Sequence, residues 1–188
     1  MKSYLITDPI LYLNDIEKFE LNLIEALEKN KVDLICFRDK KNYSYEKYAR
    51  KLALIARQYN IKELYVNKYI DLACELKATG VHLTSKQFDQ IKHVKDLGLK
   101  VIISCHNELE IRVAIRQKVD YITYSPIFET ANKGEQKGIN NLKYIVNKYK
   151  EIKIFALGGI INDEQINNIK ESNAYGFASI RYFLNNNN

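Results

Sequence analysis

The 188-residue sequence predicts a (β/α)8 barrel, and three observations carry that prediction. Eight short runs rich in apolar and β-branched residues recur along the chain. The segments between them repeat apolar residues at steps of three and four, and no linker or break in composition interrupts the alternation. Dividing the length by eight leaves roughly 23 residues per repeat, room for one strand, one helix and two short turns. Parallel strands joined by right-handed crossovers are the expected connection. Eight such units close into a barrel, here smaller than the usual size of about 250 residues. An open, doubly wound sheet is the structural rival. The domain is expected to span residues 1–184, with a polar tail at 185–188.

Strands are expected at Tyr4–Thr7, Leu34–Arg38, Leu64–Asn67, Val81–Leu83, Val101–Ser104, Tyr121–Ser125, Ile154–Leu157 and Gly176–Ile180. After the first strand, Asn14 and Glu17 have the spacing of a capping box, in which a side chain satisfies a free amide of the first helical turn. After the second, Tyr45, Tyr48, Ala49, Leu52, Ile55, Ala56 and Tyr59 form one apolar helix face, and Ser44 is placed to cap it. Asn107 with Glu110 and Asn162 with Gln165 mark two further helix starts in the same way. The eighth helix has the weakest signal, because only YFLNNNN follows Arg181.

Composition narrows the function classes. Hydrophobic residues make up 46% and charged residues 28%, a globular balance. Two prolines and seven glycines exclude a collagenous or linker-rich chain. Cys36, Cys74 and Cys105 are scattered and odd in number, which fits a reducing compartment without a disulfide framework. The apolar run in MKSYLITDPI is too short for a signal peptide and no later run spans a bilayer, so a soluble cytoplasmic protein without a membrane partner is expected. The net charge of +6 is spread along the chain, and the densest run, Arg38-Asp39-Lys40-Lys41, is interrupted by an acid. Without a basic stripe a nucleic-acid partner is not expected; the charge suits a small anionic ligand.

Chemistry in a βα barrel collects where strands run into their following loops. The second strand ends CFRDK, and period-two alternation puts Cys36, Arg38 and Lys40 on one face. Two cations at a barrel mouth call for a phosphate or carboxylate, or else for an ion pair with Asp39 or a helix carboxylate. The third strand ends at Asn67-Lys68. His82, inside the short apolar fourth strand, reads as a satisfied core histidine, and His93 as a surface one. The fifth strand ends at Ser104 and His106, and a histidine at that mouth exchanges protons near neutral pH. The sixth strand leads into the long loop YSPIFETANKGEQKG, where Thr130 offers a hydroxyl and Lys133 a charge. The seventh ends at Gly158-Gly159, and paired glycines there allow backbone N–H groups to approach a phosphate.

Seven segments, CFRDK, VNKYIDLA, TGVHL, ISCH, SPIFETANKG, KGINNL and LGGI, appear in the order and spacing of the thiamine phosphate synthase/TenI family, which the chain resembles along nearly its whole length. The resemblance implies a (β/α)8 barrel acting on phosphorylated thiazoles in thiamine biosynthesis. Two activities occur in that family. The synthases join a pyrimidine diphosphate to thiazole phosphate with magnesium and release pyrophosphate. Their pattern after the second strand is Gln-x-Arg-Glu-Lys; here Cys36 replaces the Gln while Arg38 and Lys40 remain. Their two metal-binding aspartates are replaced, one by Lys68 beside the retained Asn67, the other within the run Thr84-Ser85-Lys86-Gln87. Asp71 and Asp89 are not in register with either. In the sixth loop Thr130 and Lys133 match, whereas Glu129 and Asn132 depart from the pattern.

The departures resemble the TenI-type thiazole tautomerases, which aromatise a carboxylated thiazole phosphate by a proton shift that needs no cofactor. In that reading Ser104-Cys105-His106 matches the family motif that carries the proton-transferring histidine. Arg38, Lys40 or Lys68 meets the substrate carboxylate, and Gly158, Gly159, Ile180 and Arg181 surround the phosphate. No metal ligand is expected. Arg181 stands where the family usually has a small residue. The alternatives are a magnesium-dependent thiamine phosphate synthase and a non-catalytic thiazole phosphate-binding or regulatory protein. A homodimer is compatible with all three.

Overall fold

The computed structural model describes residues 1–8, 12, 15–40, 44–131 and 133–185. The elements alternate without exception: β1 (Lys2–Ile6), α1 (Ile16–Lys29), β2 (Leu34–Phe37), α2 (Tyr45–Gln58), β3 (Glu63–Asn67), α3 (Ile70–Glu75), β4 (Gly80–Leu83), α4 (Ile91–Asp96), β5 (Lys100–Cys105), α5 (Glu108–Arg116), β6 (Tyr121–Tyr124), α6 (Gly138–Lys148), β7 (Lys153–Leu157), α7 (Asp163–Glu171), β8 (Gly176–Ser179) and α8 (Tyr182–Asn185). A 3-10 turn at Phe88–Gln90 leads into α4. Every strand pairs in parallel with the next, and β8 returns to β1 in the register Lys2↔Gly176 through Leu5↔Ser179. That closure excludes the open doubly wound sheet. All eight expected strands are present; Thr7, Arg38, Ser125 and Ile180 lie just past the strand ends as loop residues. The eighth helix exists but is short. No helix among the described residues is long and apolar enough to cross a membrane.

Strand alternation sorts the side chains into two cores. Tyr4, Ile6, Leu34, Cys36, Tyr65, Ile102, Tyr121, Phe155 and Ala178 fill the barrel interior. Their neighbours, among them Leu5, Ile35, Phe37, Val66 and Val81, face outward and pack under the helices. The large interior rings need gaps opposite them. A Cβ on Gly80 would meet the Tyr65 ring at 2.9 Å, and one on Gly176 would meet the Phe155 ring.

The helix starts agree with the sequence in part. Asn107 Oδ1 accepts from Glu110 N (2.9 Å), and Asn162 Oδ1 accepts from Gln165 N (2.9 Å), as the capping spacing predicts. At α1 the cap is Asp15, whose carboxylate accepts from Glu17 N and Lys18 N at 3.0 Å each. Asn14 lies outside the described residues. Ser44 occupies the cap position of α2 but in the left-handed region, φ 49°, and its side chain makes no capping bond. The expected apolar face is present, with Tyr45, Tyr48, Ala49, Leu52, Ile55 and Ala56 buried and Tyr59 half-buried.

Candidate active site

At the C-terminal ends of the strands lies a cavity of about 490 Å³. Every residue expected to bind or react lines it: Arg38, Lys40, Asn67, Lys68, Ser104, His106, Thr130, Lys133, Gly158, Gly159, Ile180 and Arg181. Sequence reasoning did not single out Ser125, Ile160 or Ser179, which also line it. Their signal was weak, because a serine just past a strand (Ser125) or at its last position (Ser179), and an apolar residue after a glycine pair (Ile160), have no distinctive pattern.

Six cationic side chains, Arg38, Lys40, Lys68, Lys86, Lys133 and Arg181, reach this lining, and no Asp or Glu does among the described residues. Arg38 pairs with Asp8 at 3.1 Å, so its carboxylate partner comes from the loop after β1 rather than from Asp39 or a helix. Lys40 has its pKa lowered, first by the charge of Arg38, then by burial and by Lys133 and Lys68. Its neighbourhood is therefore short of negative charge, and an anion there is stabilised.

Lys68 is held in the left-handed conformation, φ 71°. Its N–H donates to His82 O (3.2 Å), and Asn67 Nδ2 donates to the same carbonyl (2.7 Å). Tyr45 OH donates to Asn67 O (2.8 Å), which ties this strand end to α2. A non-glycine residue persists at such a φ only where its surroundings over-determine it. Magnesium is a hard ion normally held by carboxylates together with phosphate oxygens. A wall that has several ammonium and guanidinium groups and, among the described residues, no carboxylate does not fit it.

The two histidines near the cavity differ. His82 is buried, with Nδ1 2.9 Å from Tyr4 OH and Nε2 3.1 Å from Ser104 Oγ. Burial, reinforced by the charge of Arg38, pushes its pKa down to about 3, so it is a neutral core group. His106 is half-buried in the cavity wall. Its Nδ1 lies 3.1 Å from Ser125 O and 3.3 Å from Ser125 Oγ. A carbonyl oxygen only accepts, so Nδ1 carries the hydrogen of that bond and Nε2 is left as the basic nitrogen. The His106 N–H donates to Glu110 Oε2 (2.5 Å), which fixes the backbone at the start of α5. Cys36, under the cavity floor, has its thiol pushed up to about 12 by burial and is not a nucleophile.

The loops after β6 and β7 are joined. Ile127 N donates to Leu157 O and Phe128 N to Gly158 O, both at 3.0 Å. Gly158 and Gly159 have φ of 101° and 72°, and a Cβ on Gly158 would meet Pro126 Cα at 2.8 Å. The glycine pair thus serves the packing of the two loops as well as lining the cavity. Thr130 Oγ1 donates to Phe128 O (3.0 Å), which keeps this hydroxyl at the rim.

A closed eight-stranded βα barrel with a cationic wall and a half-buried histidine gathered at its C-terminal mouth has the architecture of a barrel enzyme. A family model described as thiamine monophosphate synthase matches residues 3–183, and the chain belongs to that family of thiamine biosynthesis. A thiamine-phosphate synthase of Clostridium acetobutylicum is 33% identical over 190 residues, covering 97% of this chain and 87% of the relative. One from Anoxybacillus flavithermus is 32% identical over 180 residues, covering 92% and 78%. Among solved structures, the thiamine phosphate pyrophosphorylase from Pyrococcus furiosus superposes with a TM-score of 0.83 at 25% identity, over 99% of this chain and 88% of that one.

Proposed function

We propose that this family member aromatises a carboxylated thiazole phosphate by a proton shift, with His106 as the proton carrier. The observation that carries the reading is the cavity wall itself, which among the described residues has six cations, no carboxylate and a histidine with one nitrogen committed to Ser125 O. Such a wall matches a substrate that brings a phosphate and a carboxylate and no metal. His106 Nε2 takes the proton from one carbon and returns it to another, while the cations and backbone N–H groups hold the two anionic groups still. Arg38, Lys40 or Lys68 meets the carboxylate. Arg181 and the Gly158–Gly159 turn meet the phosphate, with Thr130 and Lys133 closing the rim.

A second reading, a magnesium-dependent thiamine phosphate synthase, is favoured by the names of the relatives above, two thiamine-phosphate synthases and a thiamine phosphate pyrophosphorylase. One pair of assays separates the two. Conversion of the thiazole tautomer, followed by absorbance, is expected to proceed equally with and without a chelator. His106→Asn is expected to slow it by about 100- to 10,000-fold while ligand binding survives. Magnesium-dependent joining of the pyrimidine diphosphate to thiazole phosphate, with no tautomer conversion, overturns the proposal in favour of the synthase.

A further inference from the structure

We infer that Gln165, in the first turn of α7, is a positioning residue that aims the Ile160 N–H into the cavity to bind the ligand's phosphate. The inference rests on the reading above that a phosphate sits at the Gly158–Gly159 turn. Gln165 grips two consecutive peptide units. Its Oε1 accepts from Ile161 N at 2.7 Å, and its Nε2 donates to Gly159 O at 3.0 Å. A flipped amide would satisfy neither bond, so the two contacts fix its orientation together.

The Gly159 carbonyl and the Ile160 N–H belong to one planar trans peptide and point in opposite directions. Holding that carbonyl against α7 turns the Ile160 N–H away from the helix, towards the side on which both residues line the cavity. The next peptide is held in the reverse sense, with Ile160 O accepting from Ser179 Oγ at 2.7 Å. The Ile160 N–H has no hydrogen-bond partner among the described residues, although Ile160 is only 2% exposed. Unpartnered backbone N–H groups at buried positions are rare, and an anionic oxygen is the acceptor this one lacks.

The equivalent residue of α5 sharpens the point. Glu110 has the same spacing from its cap but only accepts, and it takes the His106 N–H. At α7 the Gly159 carbonyl needs a donor, which a carboxylate cannot supply and an amide can.

Gln165→Glu tests this, because it keeps the acceptor for Ile161 N and sets a carboxylate against the Gly159 carbonyl. The probes are hydroxyethylthiazole phosphate and the unphosphorylated alcohol, titrated calorimetrically against the full chain. Wild type is expected to prefer the phosphate ester. Gln165→Glu is expected to weaken the ester at least tenfold, leave the alcohol unchanged and melt at the wild-type temperature. Asn162→Asp adds the same charge to the same turn while keeping the cap acceptor, and is expected to change ester affinity less than twofold. Wild-type ester affinity in Gln165→Glu, an equal loss for both probes, or an equal loss in Asn162→Asp each overturns the role of Gln165. Equal binding of ester and alcohol by wild type instead overturns the phosphate reading beneath it.

Discussion

His82 and His106 are the same residue type, each with a serine oxygen within hydrogen-bond distance, and their surroundings differ. His82 has both ring nitrogens occupied and no room to carry charge, with its pKa pushed down to about 3. In the unfolded chain a histidine titrates near 6.5, so between pH 6.5 and about 3 the unfolded state binds a proton that the folded state refuses. Stability is therefore full above pH 6.5 and falls as the pH drops through that window, by up to about 1.4 kcal/mol per pH unit. Denaturant melts at pH 7, 6 and 5 are expected to show this slope in wild type and a flatter one in His82→Asn, whatever the variant's absolute stability. Equal slopes would sink the assignment. The core character of His82 was legible in the sequence, because a polar residue inside a four-residue apolar strand has little access to water. What its nitrogens touch was not: Tyr4 lies 78 residues away and Ser104 lies 22 residues away. The partner of Arg38 was hidden for the same reason, since Asp8 becomes its neighbour only when β1 and β2 pair.

Elements were the most legible level, and the junctions between them the least. Strand and helix periods are local, so all eight repeats and the caps at Asn107 and Asn162 were readable, whereas an acidic cap one residue later replaced the box expected at Asn14. The paired glycines after β7 were read as a phosphate turn. The chain also needs them because the loop after β6 lies directly over them, a contact between segments some 30 residues apart in sequence. Gly159 sits at φ 72°, and a Cβ there would collide with the Glu129 carbonyl. Gly159→Ala is expected to cost roughly 1–3 kcal/mol through left-handed strain and overpacking. It is also expected to unseat the loop that carries Thr130 and Lys133. Limited proteolysis should then cut within residues 127–137 faster than in wild type, and ligand affinity should fall. A variant with wild-type melting and cleavage would show that the two loops are not coupled through this glycine.

Across the whole molecule, the two ends of the barrel divide the work. The C-terminal mouth gathers cations, with no carboxylate among the described residues that line its cavity. The N-terminal end is closed by Glu63, whose carboxylate accepts from Tyr65 OH (2.5 Å), Lys100 Nζ (3.1 Å) and Tyr121 OH (3.1 Å). Around it Tyr121 stacks on Tyr175 with centroids 5.6 Å apart, and Lys153 lies over both rings. Partial burial works to raise the Glu63 pKa, but the hydrogen bonds from Tyr65 and Lys100, aided by Tyr121, outweigh it and hold the carboxyl below its usual range. The plug is therefore strongest above the ordinary glutamate pKa and weakens as the pH falls through the lowered one. None of these residues borders the cavity, so stability and chemistry are separable along the barrel axis. Glu63→Leu leaves two tyrosine hydroxyls in the barrel floor without their acceptor, at a cost of about 1–3 kcal/mol. The expected result is a lower melting temperature with unchanged KM for the proposed thiazole phosphate substrate at temperatures where the variant stays folded. A change in KM without a change in melting would show instead that the two ends communicate through the aromatic stack of Tyr4, Phe155 and Tyr121.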